Sequence, residues 1–472
     1  MRNADPAPGF TVRVALIVAL GGFLMGFDAS VISGVVGFIE AEFRLSKIQL
    51  GWAVASLTLA ATFAMLVSGP LSDRFGRRPV LQLAAALFTI SAIASAMAPN
   101  FAMLVVARMV GGLGVGAALI IAPMYIAEIA PARARGRLVS FNQLNIVVGI
   151  SAAFFSNYLI LRLGQSDLAL AQALGIGPWG WRWMLGVEAV PAVVYFLALA
   201  WVPESPRWLA MHGRRAEAHR VMEKAAGRDQ AAAELAGLER SLAVETAAGR
   251  GRFRDLLQPR LRRVMMIGLS IAVLQQATGI NAVFFYAPMI FEQAGLGTDA
   301  AFAQAILVGL VNLVFTVVAM CLIDRLGRRP LLGFGLAGIA VCMLTLAYGF
   351  GAATYSLGGE AVQVNTVLIL AGLLGFVASF AISLGPVMWV LFSELFPNRV
   401  RGLAVSCVGL VNSAVSFLVQ LVFPWEIATL GSAFTFLVYG LVAVGGLAWV
   451  LTAFPETRGR SLEELEQILV RN

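Results

Sequence analysis

Charge is scarce in this chain. Only 13% of its 472 residues are Asp, Glu, Lys or Arg, about half of what a soluble domain carries, so most of the length cannot be a water-facing surface. Lysine is nearly missing: Lys47 and Lys224 follow Ser46 and Glu223. A phosphate-binding loop needs Gly-Lys-Ser/Thr, which excludes a primary pump powered by ATP on this chain. The two histidines, His212 and His219, stand in a basic stretch without companion ligands, and no metal or other cofactor is expected. Cys321, Cys342 and Cys407 are too few and too scattered for a disulfide framework. No acid, base and nucleophile come together in a motif, so an enzyme is not expected.

What the chain has is apolar length. Hydrophobic residues make up 59% of it, and the mean hydropathy is +0.84. Runs of twenty or more apolar residues recur from end to end, each long enough to cross a hydrocarbon core of about 30 Å. Twelve are expected, near 14–38, 50–71, 80–98, 101–127, 138–160, 182–202, 264–292, 301–323, 331–350, 363–392, 402–423 and 431–454. The fold class is an all-α membrane protein of twelve transmembrane helices. The first run is too long for a cleavable signal and carries Asp28.

The net charge of +8 reports orientation. With the N-terminus inside, only Arg44, Lys47, Arg162 and Arg182 fall on the outer side and Arg108 within a span, leaving 29 of the 34 Lys and Arg inside. That is the positive-inside bias; both termini are expected to be cytoplasmic, and a nucleic-acid partner is not. The bilayer is the partner that composition demands.

The chain is also written twice. "SDRFGRRP" at 72–79 returns as "IDRLGRRP" at 323–330, and "AEIAPARARG" at 127–136 returns as "SELFPNRVRG" at 393–402. "PESPRWL" at 203–209 is matched by "PETRGRSLEEL" at 455–465. Three matches in one order imply two homologous six-helix halves, 1–202 and 264–454. Between them lies a helical linker, 203–263, expected in the cytoplasm and rich in Arg, Ala and Glu, and 455–472 form a tail. Met320 stands where the first copy has Gly69, so the close helix contact that a small residue allows is expected more firmly in the first copy.

"DRFGRR", "PESPRWL", "QQATGINAVFFYAP" at 275–288 and "PETRGRSLEEL" form a specific set. On these residues, and over nearly its full length, the chain resembles the sugar porter family of the major facilitator superfamily. It is most similar to bacterial proton-coupled symporters of xylose and glucose. The resemblance implies a neutral monosaccharide and a proton as partners, alternating access, a monomer as the working unit and the bacterial inner membrane as location. The alternatives kept open are a facilitative sugar or polyol uniporter and a non-transporting sugar sensor. The family nests inverted three-helix repeats in each half and sets the first, fourth, seventh and tenth helices around a cavity.

The conspicuous polar groups fall on that set: Asp28, Arg108, Gln275, Gln276, Asn281 and Trp389. Gln143 and Asn145, Asn312 and Asn412 add amides on the fifth, eighth and eleventh spans, and Glu188 a carboxylate on the sixth. An amide carries an acceptor and two donors without charge, which suits sugar hydroxyls, and an indole offers a flat apolar face. Intramembrane amides also join helices, at roughly 0.6 kcal/mol each, and an isolated one such as Asn312 fits that role as well as a sugar-binding one. From the resemblance, Gln143, Gln275, Gln276, Asn281 and Trp389 match sugar-contacting positions. Asn412 sits where relatives carry an amide, beside Ser413 in place of a common aromatic. Gln275 and Gln276, adjacent and so about 100° apart on a helix, can face one cavity if the helix deforms. Gly279 and Pro288 supply weak points, as Gly385-Pro386 does before Trp389.

A carboxylate in mid-span costs about 2.5–3.5 kcal/mol on insertion scales. Asp28 is either a fixed strut paired with Arg108 or a proton carrier: burial favours its neutral form, a guanidinium its charged form. Glu188 offers Arg108 a second acceptor, and the resemblance places Asp28, Arg108 and Glu188 in a proton-exchange network. Asp73, Arg77, Arg78, Glu128, Arg133 and Arg135 recur as Asp324, Arg328, Arg329, Glu394, Arg399 and Arg401. These read as positive-inside charge or, as the resemblance implies, as an inter-half cytoplasmic latch. "GLGVGA" at 112–117 matches a dinucleotide fingerprint, but inside a span small residues serve helix packing.

Overall fold

The computed structural model describes residues 8–131, 134–248, 253–256, 258–354, 365–396, 400–454 and 456. Arg133, Arg399 and all of the tail motif except Glu456 lie outside the described residues, as does the side chain of Asp324. Twelve helices are long and apolar enough to cross a membrane. In the first half they are Gly9–Gly34, Lys47–Phe75, Arg77–Ala96, Phe101–Ile129, Arg135–Gly164 and Gly180–Trp201. In the second half they are Leu261–Gln293, Thr298–Ile323, Arg328–Gly351, Thr366–Phe392, Arg401–Leu430 and Ser432–Ala453. We number these spans first to twelfth. Helices satisfy their own backbone groups, the condition for crossing lipid.

The duplicated motif folds the same way twice. One glycine, Gly76, joins the second span to the third at φ +105, and Gly327 precedes the ninth at φ +95. That left-handed region is open to glycine and strained for other residues, which explains why "GRRP" follows "DR" in both copies. The fragment 112–117 is helical within the fourth span, as packing requires. Gly69, by contrast, makes no close helix contact: a Cβ there would meet nothing within 4 Å. The close approach occurs instead on the first and fifth spans, where Gly26 faces the Ile146 carbonyl and Gly149 the Phe23 carbonyl. Side chains larger than hydrogen would hold those backbones apart.

Three spans are broken where function concentrates. The seventh stops at Ala277 and restarts at Ile280 around Gly279, at φ +88, with Tyr286 out of helical geometry two residues before Pro288. The tenth breaks at Ser383 (φ −115, ψ −92), two residues before the expected Gly385-Pro386. In the sixth, helices Gly180–Gly186 and Ala189–Ala198 leave Glu188 at the joint. Pro191 contributes to this break because it has no N–H to donate to the preceding turn.

Compactness groups the residues into two units that cut across the duplication. The first contains 1–29, 59–150 and 182–250; the second contains 30–58, 151–181 and 251–472. In the first unit the linker helices Pro206–Met211, Arg215–Ala226 and Arg228–Ala248 follow the sixth span. Ser205 caps the first of them, accepting from Arg207 N and Trp208 N at 3.2 and 3.3 Å. In the second unit, segments of the first sequence half bond to the second half. Thr58 Oγ1 donates to Gln420 Oε1 (2.9 Å), Ser151 Oγ to the Gly309 carbonyl (2.9 Å), and Gln165 Nε2 to Asp299 Oδ1 (2.8 Å).

Candidate sugar and proton site

The charged centre lies in the first unit. Arg108, on the fourth span, pairs through Nη1 with the Asp28 carboxylate and also donates to the Asp28 carbonyl at 3.2 Å. Asp28, Arg108 and Glu188 are 1%, 2% and 3% exposed, so all three are sealed from solvent. Glu188 stands in the electrostatic field of both Asp28 and Arg108. Among the described residues, Asp28 Oδ2, Arg108 Nε and Glu188 Oε1 are buried without hydrogen-bond partners. A buried ion pair survives when its remaining hydrogen-bonding capacity is met. Here capacity is left over on all three groups, leaving Arg108 a second acceptor to turn to.

Gly111 permits this arrangement. A Cβ there would lie 2.5 Å from Ser91 Oγ and 2.8 Å from Asp28 Oδ2. The structure thus sets Gly111 against the unpaired oxygen of Asp28.

The amide cluster lies in the second unit. Gln276 Nε2 donates to Gln275 Oε1 at 3.0 Å and to Asn412 Oδ1 at 3.2 Å. Asn412 Nδ2 donates to Gln275 Oε1 at 2.7 Å and to the Ala272 carbonyl at 2.9 Å. Asn281 Nδ2 donates to Gln276 Oε1 at 2.7 Å and to Ser416 Oγ at 2.6 Å. The two adjacent glutamines meet because the seventh span ends one residue later, at Ala277. The chain then reverses its handedness at Gly279 and returns Asn281 to Gln276. A second line runs on from Ser416, which accepts from Gln420 Nε2 at 2.8 Å. Ser416 and Gln420 were absent from the sequence-based set; their spacing of four from Asn412, on one helix face, was the available signal.

The remaining expected residues are placed differently. Trp389 is 43% exposed, packs edge-on against Phe392 and makes no hydrogen bond among the described residues. Asn312 is buried on the eighth span, outside the hydrogen-bonded cluster. Gln143 belongs to the first unit and is half-buried, while its neighbour Asn142 is buried with Oδ1 unpaired, set against Gly22.

The basic side holds two matching cages. Glu128 receives Arg77 Nε and Nη2, each at 3.0 Å, and Ser205 Oγ at 2.5 Å; Asp73 receives Arg77 Nη1 at 2.9 Å. Glu204 accepts from the backbone N–H of Arg77 (2.9 Å) and Arg78 (3.2 Å) at the start of the third span. In the other half Arg328 Nη2 meets Glu394 at 2.8 Å, and Glu456 takes the backbone N–H of Arg328 and Arg329, each at 3.0 Å. Glu204 and Glu456, the glutamates of "PES" and "PET", were quoted in the motifs but given no role. They answer the unpaired N–H groups and positive dipole of a helix start. Burial pushes the Glu204 carboxyl above its ordinary range, outweighing the backbone bonds that lower it. Within these cages Asp73, Arg77 and Glu128 pair with one another, as Arg328 does with Glu394. Arg77's planar fork is matched bidentately by Glu128 of its own half. Arg401 donates to the Phe396 carbonyl at 3.1 Å, and exposed Arg135 lies in the field of Glu234.

Residues 14–469 match the family model described as "Sugar (and other) transporter". The chain belongs to this sugar transporter family. It is 37% identical over 463 residues to the arabinose-proton symporter of Bacillus subtilis, covering 98% of this chain and 96% of that one. It is 37% identical to the D-xylose-proton symporter of Escherichia coli, over 99% and 97% of the two chains. A solved structure of the E. coli xylose transporter XylE in an inward open conformation matches with a TM-score of 0.82 at 34% identity. It covers 98% of this chain and 100% of that one. This sugar porter of the major facilitator superfamily is thus a multi-pass plasma-membrane transporter and not an enzyme.

Replacing Gly111 with Ala is expected to cost about 1–3 kcal/mol by overpacking, read as a lowered thermal midpoint of the purified protein. With Ser91→Gly added, the hydroxyl clash disappears while the contact with Asp28 stays. Stability should then recover in part, and proton-driven uptake should remain impaired. Full recovery of uptake would show that Asp28 tolerates a methyl group there.

Proposed function

We propose that this sugar porter carries a neutral monosaccharide inward together with a proton, by alternating access. One observation carries the reading: a buried Asp28–Arg108 pair with Glu188 in its field and unpaired polar atoms on all three. A group held between desolvation and a guanidinium changes protonation when the guanidinium moves. Asp28 is protonated before the loaded carrier reorients; at 100 mV one inward charge is worth about 2.3 kcal/mol. That sustains a sugar gradient of roughly 40-fold. A facilitative uniporter has no use for such an acid. Asp28→Asn is expected to abolish accumulation against a gradient in proteoliposomes yet leave sugar counterflow. Retained accumulation would remove the proton role.

Gln275, Gln276, Asn281 and Asn412 form the sugar-binding group, with Gln143, Asn312 and Trp389 as its further members. A site of this kind rejects an analogue lacking a hydroxyl because its own group is left unpaired. Gln276→Leu should weaken binding about tenfold, near the net worth of one or two hydrogen bonds, measured by titration calorimetry over a panel of pentoses and hexoses. An unchanged panel would reduce the cluster to helix joining.

Both termini are cytoplasmic, because this orientation puts 29 of the 34 Lys and Arg inside. The monomer is the working unit, since one chain supplies both clusters. Halves 1–202 and 264–454 rock about the site, with 203–263 and 455–472 on the inner side. The two motif sets, Asp73, Arg77, Arg78, Glu128 and Arg135 and Asp324, Arg328, Arg329, Glu394 and Arg401, act at the inner ends. They also close that side in one state through contacts that differ between states. Glu128→Gln is therefore expected to increase labelling of single cysteines placed on the inner side. Equal labelling would leave the cages a purely structural role.

A further inference from the structure

We propose that the seam between the first and sixth spans is a binding site for one anionic phospholipid. Two cavities lie along it, both within the first compact unit. The first, about 230 Å³, is at the basic end and is lined by Phe10, Trp201, Arg78, Arg220 and Lys224. The second, about 350 Å³, is lined wholly by the apolar residues Leu20, Phe23, Leu24, Val190, Pro191 and Val194.

Their spacing matches a lipid. Ten to fourteen helical residues separate Phe10 from Leu20 and Leu24, which is about 15–21 Å at 1.5 Å per residue. One leaflet of the hydrocarbon core is about 15 Å thick. From one cavity to the other the sixth span presents Val190 and Val194 of the apolar cavity, Leu197 between the two, and Trp201 of the basic one, 53–77% exposed. They recur at spacings of four, three and four and so form one stripe. Apolar exposure alone is what any lipid-facing span shows. What distinguishes this seam is a cavity at each end, one of them cationic.

The cations are free to bind a phosphate. Among the described residues, no ion pair involves Arg78, Arg220 or Lys224, and Arg78 Nε is buried without a partner. Neighbouring acids make their recorded bonds elsewhere, with Glu217 also in the field of Arg220. Glu204 accepts from backbone N–H groups, Glu217 from Arg214, and Glu223 lies against His219 and Arg228. Thr11 Oγ1 donates to the Ala225 carbonyl at 3.3 Å, fixing the helix that carries Arg220 and Lys224 beside the first span. Trp201, at the end of its span, has the place of an interfacial anchor. Basic pockets between spans at a membrane surface suit anionic headgroups. The tail groove leads toward Asp28 and Glu188, four residues past Leu24 and two before Val190.

The test is native mass spectrometry of the delipidated full-length protein. It is titrated with phosphatidylglycerol, with phosphatidylcholine of the same chains, or with inorganic phosphate. Phosphatidylglycerol should bind at least tenfold more tightly than phosphatidylcholine. The doubly substituted Arg220→Gln/Lys224→Gln protein, altered only at exposed positions, should lose about 25-fold in that affinity, about fivefold per cation. Val194→Trp, which fills the groove, should weaken both lipids. Equal binding of the two lipids, or no loss in the double variant, overturns the proposal. So does displacement of phosphatidylglycerol by millimolar phosphate with no effect of Val194→Trp, because the pocket would then recognise a soluble anion.

Discussion

A charge buried among membrane helices is stable only beside a counter-charge, and in this protein that rule applies at Asp28. Its partner, Arg108, comes from a helix eighty residues away and is itself sealed from water. The pair requires the two spans to approach closely, and Gly111 grants that approach by presenting hydrogen to the second carboxylate oxygen. The broken sixth span brings Glu188 into the same field. Removing either Asp28 or Arg108 leaves the other charge in low dielectric without its partner. The geometry is therefore strongly constrained.

The amide cluster follows a different logic. Its members are neutral, so burial costs little once each hydrogen bond is made, and the cluster closes on itself through Gln275, Gln276, Asn281 and Asn412. The break at Gly279 lets two adjacent glutamines and an asparagine five residues on share partners. A regular helix would direct them to different sides. Discontinuous helices in transporters commonly serve this purpose. The link from Asn281 through Ser416 and Gln420 to Thr58 gives the cluster a physical connection to a segment of the other sequence half.

Duplication explains the cages. Gly76 and Gly327, Arg77 and Arg328, Glu128 and Glu394, and Glu204 and Glu456 occupy matching places. The same short motif meets the same need twice: a helix starting immediately after a glycine turn exposes N–H groups that a glutamate can take. The two copies differ at Gly69 and Met320, a difference of little consequence because Gly69 touches nothing close. The asymmetry that matters lies elsewhere. The acid–guanidinium centre belongs to the first half, and the amide-rich broken helix to the second.

The twelve spans and the identity of the intramembrane polar residues were legible in the chain, because lipid imposes length and hydropathy on each helix separately. The break at Gly279 was legible for a similar reason, as glycine's freedom is local. The tenth span breaks at Ser383, ahead of Gly385, because Pro386 has no N–H for the Ile382 carbonyl and its ring crowds that turn. The unpaired oxygen of Asp28, the closure of the amides on one another and the pairing inside each cage depend on side chains meeting across 51 to 137 residues. Those contacts were decided by tertiary packing alone, since a linear pattern records which groups exist and where helices run, but not which acceptor lies within 3 Å of which donor.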